Sequence, residues 1–222
     1  MVRTRTAIAG VLGGAVAAAG AWTLYQRRTT ETVPYTTVAR LDDVELRRYP
    51  ATVTVETVAP SENEAFRRLF RYIAGDNEGE REIEMTAPVA VTDRDASRPS
   101  AAPKAVTPGQ RIPMTAPVET TDTSGGVRMA FYLPPEYDYE SAPVPTDESV
   151  DLVAIPERTL AVRRFSWVPT DRRVASETER LLSKLDAAGV ATTGEPFFMG
   201  YDAPGALPFL RRNEVAVAVD AS

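Results

Sequence analysis

VELRRYPATVTVETVAPSENEAFRRLFRYIAG, residues 44–75, decides the fold. Val53 and Val55 alternate with Thr52, Thr54 and Glu56, the period-2 pattern of a half-buried strand. Pro60 breaks that strand, and Ser61-x-x-Glu64 follows as a capping box that opens a helix. Phe66, Leu69, Phe70 and Ile73 then fall at i, i+3, i+4 and i+7, the apolar stripe of an amphipathic helix, and Gly75 supplies its stop. Ordinary core packing is the simplest reading of that stripe, with Arg67, Arg68 and Arg71 on a solvated face. Upstream, YTTVAR (35–40) and VELRRYP (44–50) read as a strand pair turned at Leu41-Asp42-Asp43.

A second stretch has the same layout. DLVAI (151–155), a turn at Pro156-Glu157-Arg158 and TLAVRRFSW (159–167) read as a hairpin. Val162-Arg163-Arg164-Phe165 echoes Leu46-Arg47-Arg48-Tyr49. Pro169 precedes a helix over 171–188, capped by Thr170 or Asp171, with Val174, Thr178, Leu181, Leu182 and Leu185 on one face and Gly189 at its end. Between the two units, EREIEMTAPVAVT (80–92) and QRIPMTAPVETT (110–121) share Met-Thr-Ala-Pro-Val, joined by a Pro-, Ala- and Ser-rich loop over 93–109. VRMAFYLPPEY (127–137) adds a strand, and Val215, Val217 and Val219 mark one face of the last one. Strand, helix, strands, given twice, predicts an α+β fold: duplicated units with two helices on a curved antiparallel sheet. A parallel sheet would need a helix between each pair of strands.

Composition bounds the chemistry. The 222 residues are 43% apolar and 25% charged, with no cysteine and no histidine. That excludes disulfides, thiolate or imidazole zinc sites, and Ser–His or Cys–His nucleophilic catalysis. Carboxylate metal sites and Lys or carboxylate catalysis stay open. Net charge is −6, but the first 28 residues hold four arginines and no acid, which leaves 21 basic and 31 acidic residues beyond them, a net of −10. An acidic body argues against nonspecific binding to nucleic acid or to an anionic membrane. Lys104 and Lys184 are the only lysines, a composition that fits adaptation to high salt and equally an Arg- and Ala-biased genome.

Residues 6–25, TAIAGVLGGAVAAAGAWTLY, carry no charge and lie between Arg3/Arg5 and Arg27/Arg28. Twenty helical residues span about 30 Å, the thickness of a bilayer core, and Trp22 and Tyr25 stand where an aromatic belt falls. Residues 1–28 are therefore expected to form a single-pass transmembrane-like helix that anchors the chain to a membrane. The alternatives are a signal segment cut near Ala17–Ala19, which would release a secreted protein, and a soluble Ala-rich tail. Residues 29–34 read as a short polar linker and 35–220 as the body.

LRRYPATVTVET, EAFRRLFRYIAGDNEGEREIEMTAPV, IPMTAPVE, VRMAFYLPPEY, RTLAVRRFSW and GYDAPGALPFLRRNEVAVAV resemble the SOUL haem-binding protein family, in the family's order from about Tyr35 to Val219. The doubled MTAPV and the PFLRRNEV segment are together specific. The resemblance implies duplicated βαββ units forming a distorted eight-stranded antiparallel barrel with two helices. It also implies binding of haem or another tetrapyrrole as cofactor or ligand, for buffering or transport rather than catalysis. A porphyrin needs apolar contact for its ring and a cation for each propionate. The places the family is thought to use, beside its first helix and in the loop before the last strand, hold Arg67, Phe70 and Arg71, and Met199 and Tyr201. The arginines are expected to take the propionates. The other three are expected to contact the ring, with Tyr201 or Met199 as a candidate axial donor. Histidine ligation, described for some members, is excluded here.

Met85 and Met114 read as buried core rather than haem ligands, and Pro88 and Pro117 as strand-end or bulge positions. One arginine of each pair Arg47–Arg48, Arg163–Arg164 and Arg211–Arg212 is expected on a covered face in structural ion pairs. Glu78, Glu80, Glu82 and Glu84 read as a solvated strand face. Two further functions compete with tetrapyrrole binding: binding or hydrolysis of another small hydrophobic molecule, and a protein-interaction module with a vestigial pocket.

Overall fold

The computed structural model describes residues 31–79, 109–202 and 206–220. The uncharged stretch 6–25, the first MTAPV copy with Met85 and Pro88, Glu80, Glu82 and Glu84, and most of the 93–109 loop lie outside those residues. Among the described residues, no helix is long and apolar enough to cross a membrane.

In chain order the elements are β1 (Glu31–Thr32), β2 (Thr36–Leu41), β3 (Val44–Tyr49), β4 (Thr52–Ala59), α1 (Glu62–Ala74), β5 (Asn77–Glu78), β6 (Thr115–Thr123), β7 (Gly126–Tyr132) and β8 (Val144–Pro145). They continue with β9 (Asp151–Ile155), β10 (Arg158–Phe165), α2 (Asp171–Ala187), β11 (Phe197–Gly200), a 3-10 turn at Pro208–Leu210 and β12 (Asn213–Ala218). The main sheet runs β2-β3-β10-β12-β11-β6-β7-β4-β9, antiparallel throughout, and β1 adds to it in parallel on β6. β5 and β8 form a separate ribbon.

The α+β class, the duplication and the antiparallel sheet stand. The distorted eight-stranded barrel is corrected in strand number and extent: the sheet is an open half-barrel of nine strands, with β2 and β9 as its edges. β2 is exposed along nearly its whole length. It pairs only with β3, and only its last residue, Leu41, packs against the core. Residues 31–33, expected in a linker, join the sheet instead, with Val33 buried.

The sheet order is palindromic: β9-β4-β7-β6 on one half mirrors β3-β10-β12-β11 on the other. Each half borrows its outer strand from the other repeat. The expected β9–β10 hairpin is therefore absent, because β9 pairs with β4 and β10 with β3. The Arg-Arg echo links two neighbouring strands, β3 and β10, rather than two symmetry counterparts.

Both helices cover the outer face. On α1 the Ser61 hydroxyl accepts from the Glu64 amide at 3.3 Å, as the capping box predicts. Gly75 closes it in the left-handed region, φ +119°, where a side chain is unfavourable. Ala65, Leu69, Tyr72 and Ile73 pack on Val53, Val55, Met129 and Phe131. Leu181 and Leu185 of α2 pack on Val44, Ala161, Val215 and Val217. Strand alternation turns the next residues inward, so Tyr49, Tyr132, Leu160, Val162, Met199 and Ala216 form a third cluster on the concave face.

Three local expectations change. β4 is covered on both faces: Thr54 and Glu56 are buried, Thr54 donating to Glu56 at 2.8 Å and Arg128 Nε to Glu56 at 2.9 Å. Met114 is exposed rather than core, because the Ile112 amide bonds the Ile73 carbonyl at 2.9 Å and Ile112 takes the buried position beside α1. Pro117 does sit at a β-bulge, between Thr115 and Val118 of β6, following a cis peptide bond.

Candidate functional site

The outer face of α1 carries an exposed aromatic pair. The predicted stripe has Phe66, Leu69, Phe70 and Ile73 facing the core. Instead the helix turns Ala65, Leu69, Tyr72 and Ile73 inward, and Tyr72 donates to the Pro143 carbonyl at 2.8 Å. Small Ala65 allows close approach to the sheet, which leaves Phe66 38% and Phe70 48% exposed. Their rings stack at 5.9 Å with 15° between planes, and Phe66 rests its edge on buried Phe131 at 5.4 Å.

Two arginines follow this pair along one side of the helix. Arg67 is exposed and donates to the Asn63 carbonyl one turn back at 3.3 Å. Arg71 donates through Nη2 to Asp147 at 3.0 Å and lies 4.0 Å from Asp76. The Ser149 hydroxyl and amide bond Asp147 and hold its carboxyl below the usual range, with the Arg71 charge adding to the effect. Arg68 is taken up by Glu64 at 2.5 Å. A cleft of about 220 Å³ opens beside them, lined by Arg68, Arg71, Tyr72, Asp76 and Asp147 among others. That is below the range of about 300–1,000 Å³ that encloses a small-molecule ligand. It accommodates a carboxylate arm, while a flat disc would lie on the surface against the stacked rings.

Met199 and Tyr201 lie elsewhere. The structure brings Arg67, Phe70 and Arg71 together on α1, and places Met199 and Tyr201 on the concave face of the sheet. Met199 is fully buried, and β11 sets it in register with Glu119 of β6 on one side and Glu214 of β12 on the other. Tyr201 donates to Glu214 at 2.8 Å, with the Arg212 guanidinium 3.8 Å over its ring. Burial, then the Glu214 charge, pushes its hydroxyl well above the ordinary tyrosine range. Its proton therefore stays on the oxygen at neutral pH, bonded to Glu214.

Sequence reasoning passed over these two glutamates. Glu214 is fully buried and receives Arg47 at 2.8 Å and Arg212 Nε at 2.9 Å. Glu119 receives Tyr132 and, at 2.5 Å, Arg158, whose guanidinium stacks on Phe197 at 5.4 Å. The sequence signal was slight: each glutamate stands beside a valine, Val118 or Val215, in a segment read as a strand. The expected ion pairs of the arginine doublets hold, with Arg47, Arg163 and Arg212 engaged and Arg48 and Arg164 exposed.

The match to the SOUL heme-binding protein family model runs over residues 30–218. "Heme-binding protein 1" of Xenopus tropicalis is 26% identical over 152 residues, covering 68% of this chain and 67% of that protein. Among solved structures, a hydrolase from Listeria innocua superposes with a TM-score of 0.50 at 11% identity, covering 82% of this chain and 94% of that one. EcmrR, in a cryo-EM complex with DNA, superposes at 0.51 and 9% identity, covering 96% and 69%. Likenesses at that identity concern the fold alone. With its model matched across nearly the whole described body, the chain belongs to the SOUL haem-binding protein family.

Proposed function

We propose that the protein binds haem or a related tetrapyrrole on the outer face of α1, without catalysis and for buffering or transport. Family membership supports haem binding in general. The observation that carries the location is the stacked, half-exposed Phe66–Phe70 pair, with Arg67 and Arg71 along one side of it on the same helix. An apolar disc with two carboxylate arms matches two rings on one helix face and two guanidinium groups a turn apart. The iron takes no histidine, since the chain has none. Met199 and Tyr201 take no part in this mode. Residues 6–25 tether the body to a membrane, on the strength of their length and lack of charge.

Titrating the full-length protein with hemin and following the Soret band tests the site. Phe66→Ala combined with Phe70→Ala is expected to weaken binding at least about tenfold, since each ring carries roughly 1 kcal/mol of stacking beyond its buried area. Far-UV circular dichroism would confirm that the variant folds. An absent Soret change at micromolar hemin, or an unaltered affinity in the folded double variant, would overturn the proposal.

A further inference from the structure

The N-terminal stretch meets the body at one rim of the half-barrel. Glu31 pairs with Thr115 at the start of β6. The same end of the sheet continues through Val118 opposite Gly200, Gly200 opposite Asn213, and Asn213 opposite Phe165. Just beyond Phe165 stands Trp167, in the left-handed region at φ +79°, which a bulky residue rarely adopts. Two bonds hold it there: its amide donates to the Pro208 carbonyl at 2.8 Å, and its own carbonyl accepts from Asn213 Nδ2 at 2.7 Å. Asn213 is buried, and Pro208 begins the 3-10 turn. The strained backbone is thus fixed from two elements, an arrangement that persists where a side chain is held for use. The consequence is an apolar edge: Trp167 is 55%, Val168 45% and Phe209 52% exposed.

We propose that this rim docks on a lipid bilayer, with Trp167, Val168 and Phe209 entering the headgroup region; the inference rests on the reading of residues 6–25 as membrane-inserted. Five residues, 26–30, separate that stretch from β1. Fully extended they reach at most about 18 Å, so the rim where residue 31 joins the sheet stays close to the membrane surface. Tryptophan and phenylalanine beside it, on two segments bonded to each other, match the chemistry of an interface that is apolar on one side and wet on the other. Charge agrees locally although the body is acidic. Asp171 opens α2 and Arg172 and Arg173 follow it, a local net of +1, Arg173 bonding the Val168 carbonyl at 2.6 Å, and Arg27 and Arg28 follow the uncharged stretch in sequence. Cations close to a bilayer attract anionic headgroups.

Trp22 and Trp167 are the two tryptophans, so Trp22→Phe in the full-length chain makes Trp167 the sole reporter. That chain is reconstituted into phosphatidylcholine–phosphatidylglycerol vesicles, with and without lipids brominated high on the acyl chains. Docking predicts blue-shifted Trp167 emission, quenching by bromine of about twofold, and protection from aqueous iodide, as for a shallowly buried ring. Val168→Ser with Phe209→Ser is expected to restore iodide quenching while the chain still floats with the vesicles. Flotation with Trp167 open to iodide and untouched by bromine overturns the docking and leaves the tether. Failure to float overturns both. A blue shift that grows with protein concentration and ignores bromine assigns the rim to a second copy of the chain and overturns the inference.

Discussion

Arg47 meets Glu214 across the concave face, Nη1 to Oε2 at 2.8 Å, with the two side chains 4% and 0% exposed. Burial works against the Arg47 charge, and the Glu214 carboxylate more than offsets it, so the guanidinium stays protonated. Glu214 also holds Arg212 and Tyr201, so one carboxylate ties β3, β12 and the end of β11 together. Glu214→Ala takes the shared carboxylate from buried Arg47 and partly buried Arg212 and is expected to cost about 3–5 kcal/mol. Arg48→Ala, at an exposed pair 4.0 Å from Glu157, is expected to change stability by less than about 0.5 kcal/mol. Urea unfolding of the two variants against wild type checks both values.

Alkaline pH acts on the same interior. Burial is the largest cause holding the hydroxyls of Tyr49, Tyr72, Tyr132 and Tyr201 above the ordinary tyrosine value. Their folded forms keep a proton that the unfolded chain gives up near about pH 10. Between the unfolded and folded values the unfolded state binds fewer protons, so stability falls as pH rises. It is full below about pH 10 and lost above it, at up to about 1.4 kcal/mol per pH unit for each tyrosine. Urea midpoints should therefore be flat from about pH 8 to about pH 9 and drop by about pH 11. Ultraviolet absorbance should show most of the tyrosinate appearing together with unfolding. Early, independent ionisation of these four would refute the reading.

Local rules located the elements and tertiary contacts chose their partners. The Leu41–Asp43 turn, the Ser61 cap, the helices after Pro60 and Pro169 and the Val215–Val217–Val219 face were all legible, because each is set within a few residues. The β9–β10 hairpin was not. Period 2 assigns faces to a strand and says nothing about which strand lies beside it. The repeat exchange that pairs β9 with β4 spans about a hundred residues of sequence. The α1 stripe missed for a different reason. Phe66 and Phe70 outrank Ala65 and Tyr72 in hydrophobicity, but contact with the sheet selects the face that fits, with Tyr72 finding a carbonyl in the interior. That misreading left Phe66 out of the candidate site, while Arg67, Phe70 and Arg71 were named from the family resemblance.

Asp147 competes with any ligand carboxylate for Arg71. Its Nη2–Oδ2 contact of 3.0 Å occupies the guanidinium edge beside the cleft. Asp147→Asn removes the competitor's charge and is expected to tighten hemin binding about three- to tenfold, the size of one partly exposed charge-assisted bond. Arg71→Ala is expected to loosen it by a similar factor. In the wild type, Ser149 keeps Asp147 ionised to below the usual carboxylate range, so the clamp should persist as pH falls through that range. Hemin titrations of both variants at neutral pH check the opposite signs, and equal affinities would dissociate Arg71 from the propionates.

Metal selectivity follows from what α1 lacks. At the proposed site Phe66, Phe70, Arg67 and Arg71 would meet a ring and its acid arms, and none of these residue types ligates haem iron. Met199 is fully buried on the opposite face of the sheet, and the Tyr201 hydroxyl is protonated and bonded to Glu214. A tyrosine ligand to haem acts through its phenolate, which the Glu214 charge disfavours here. Iron should therefore add little, and hemin and metal-free protoporphyrin should bind within about threefold of each other, a difference under about 0.7 kcal/mol. Tyr201→Phe should leave the Soret position of the hemin complex unchanged. Parallel titrations, with fluorescence quenching for the metal-free ring, measure the ratio. Hemin preferred by about a hundredfold, together with a Soret shift in Tyr201→Phe, would mean that the concave face opens to ligate the iron and that α1 is not where the ring sits.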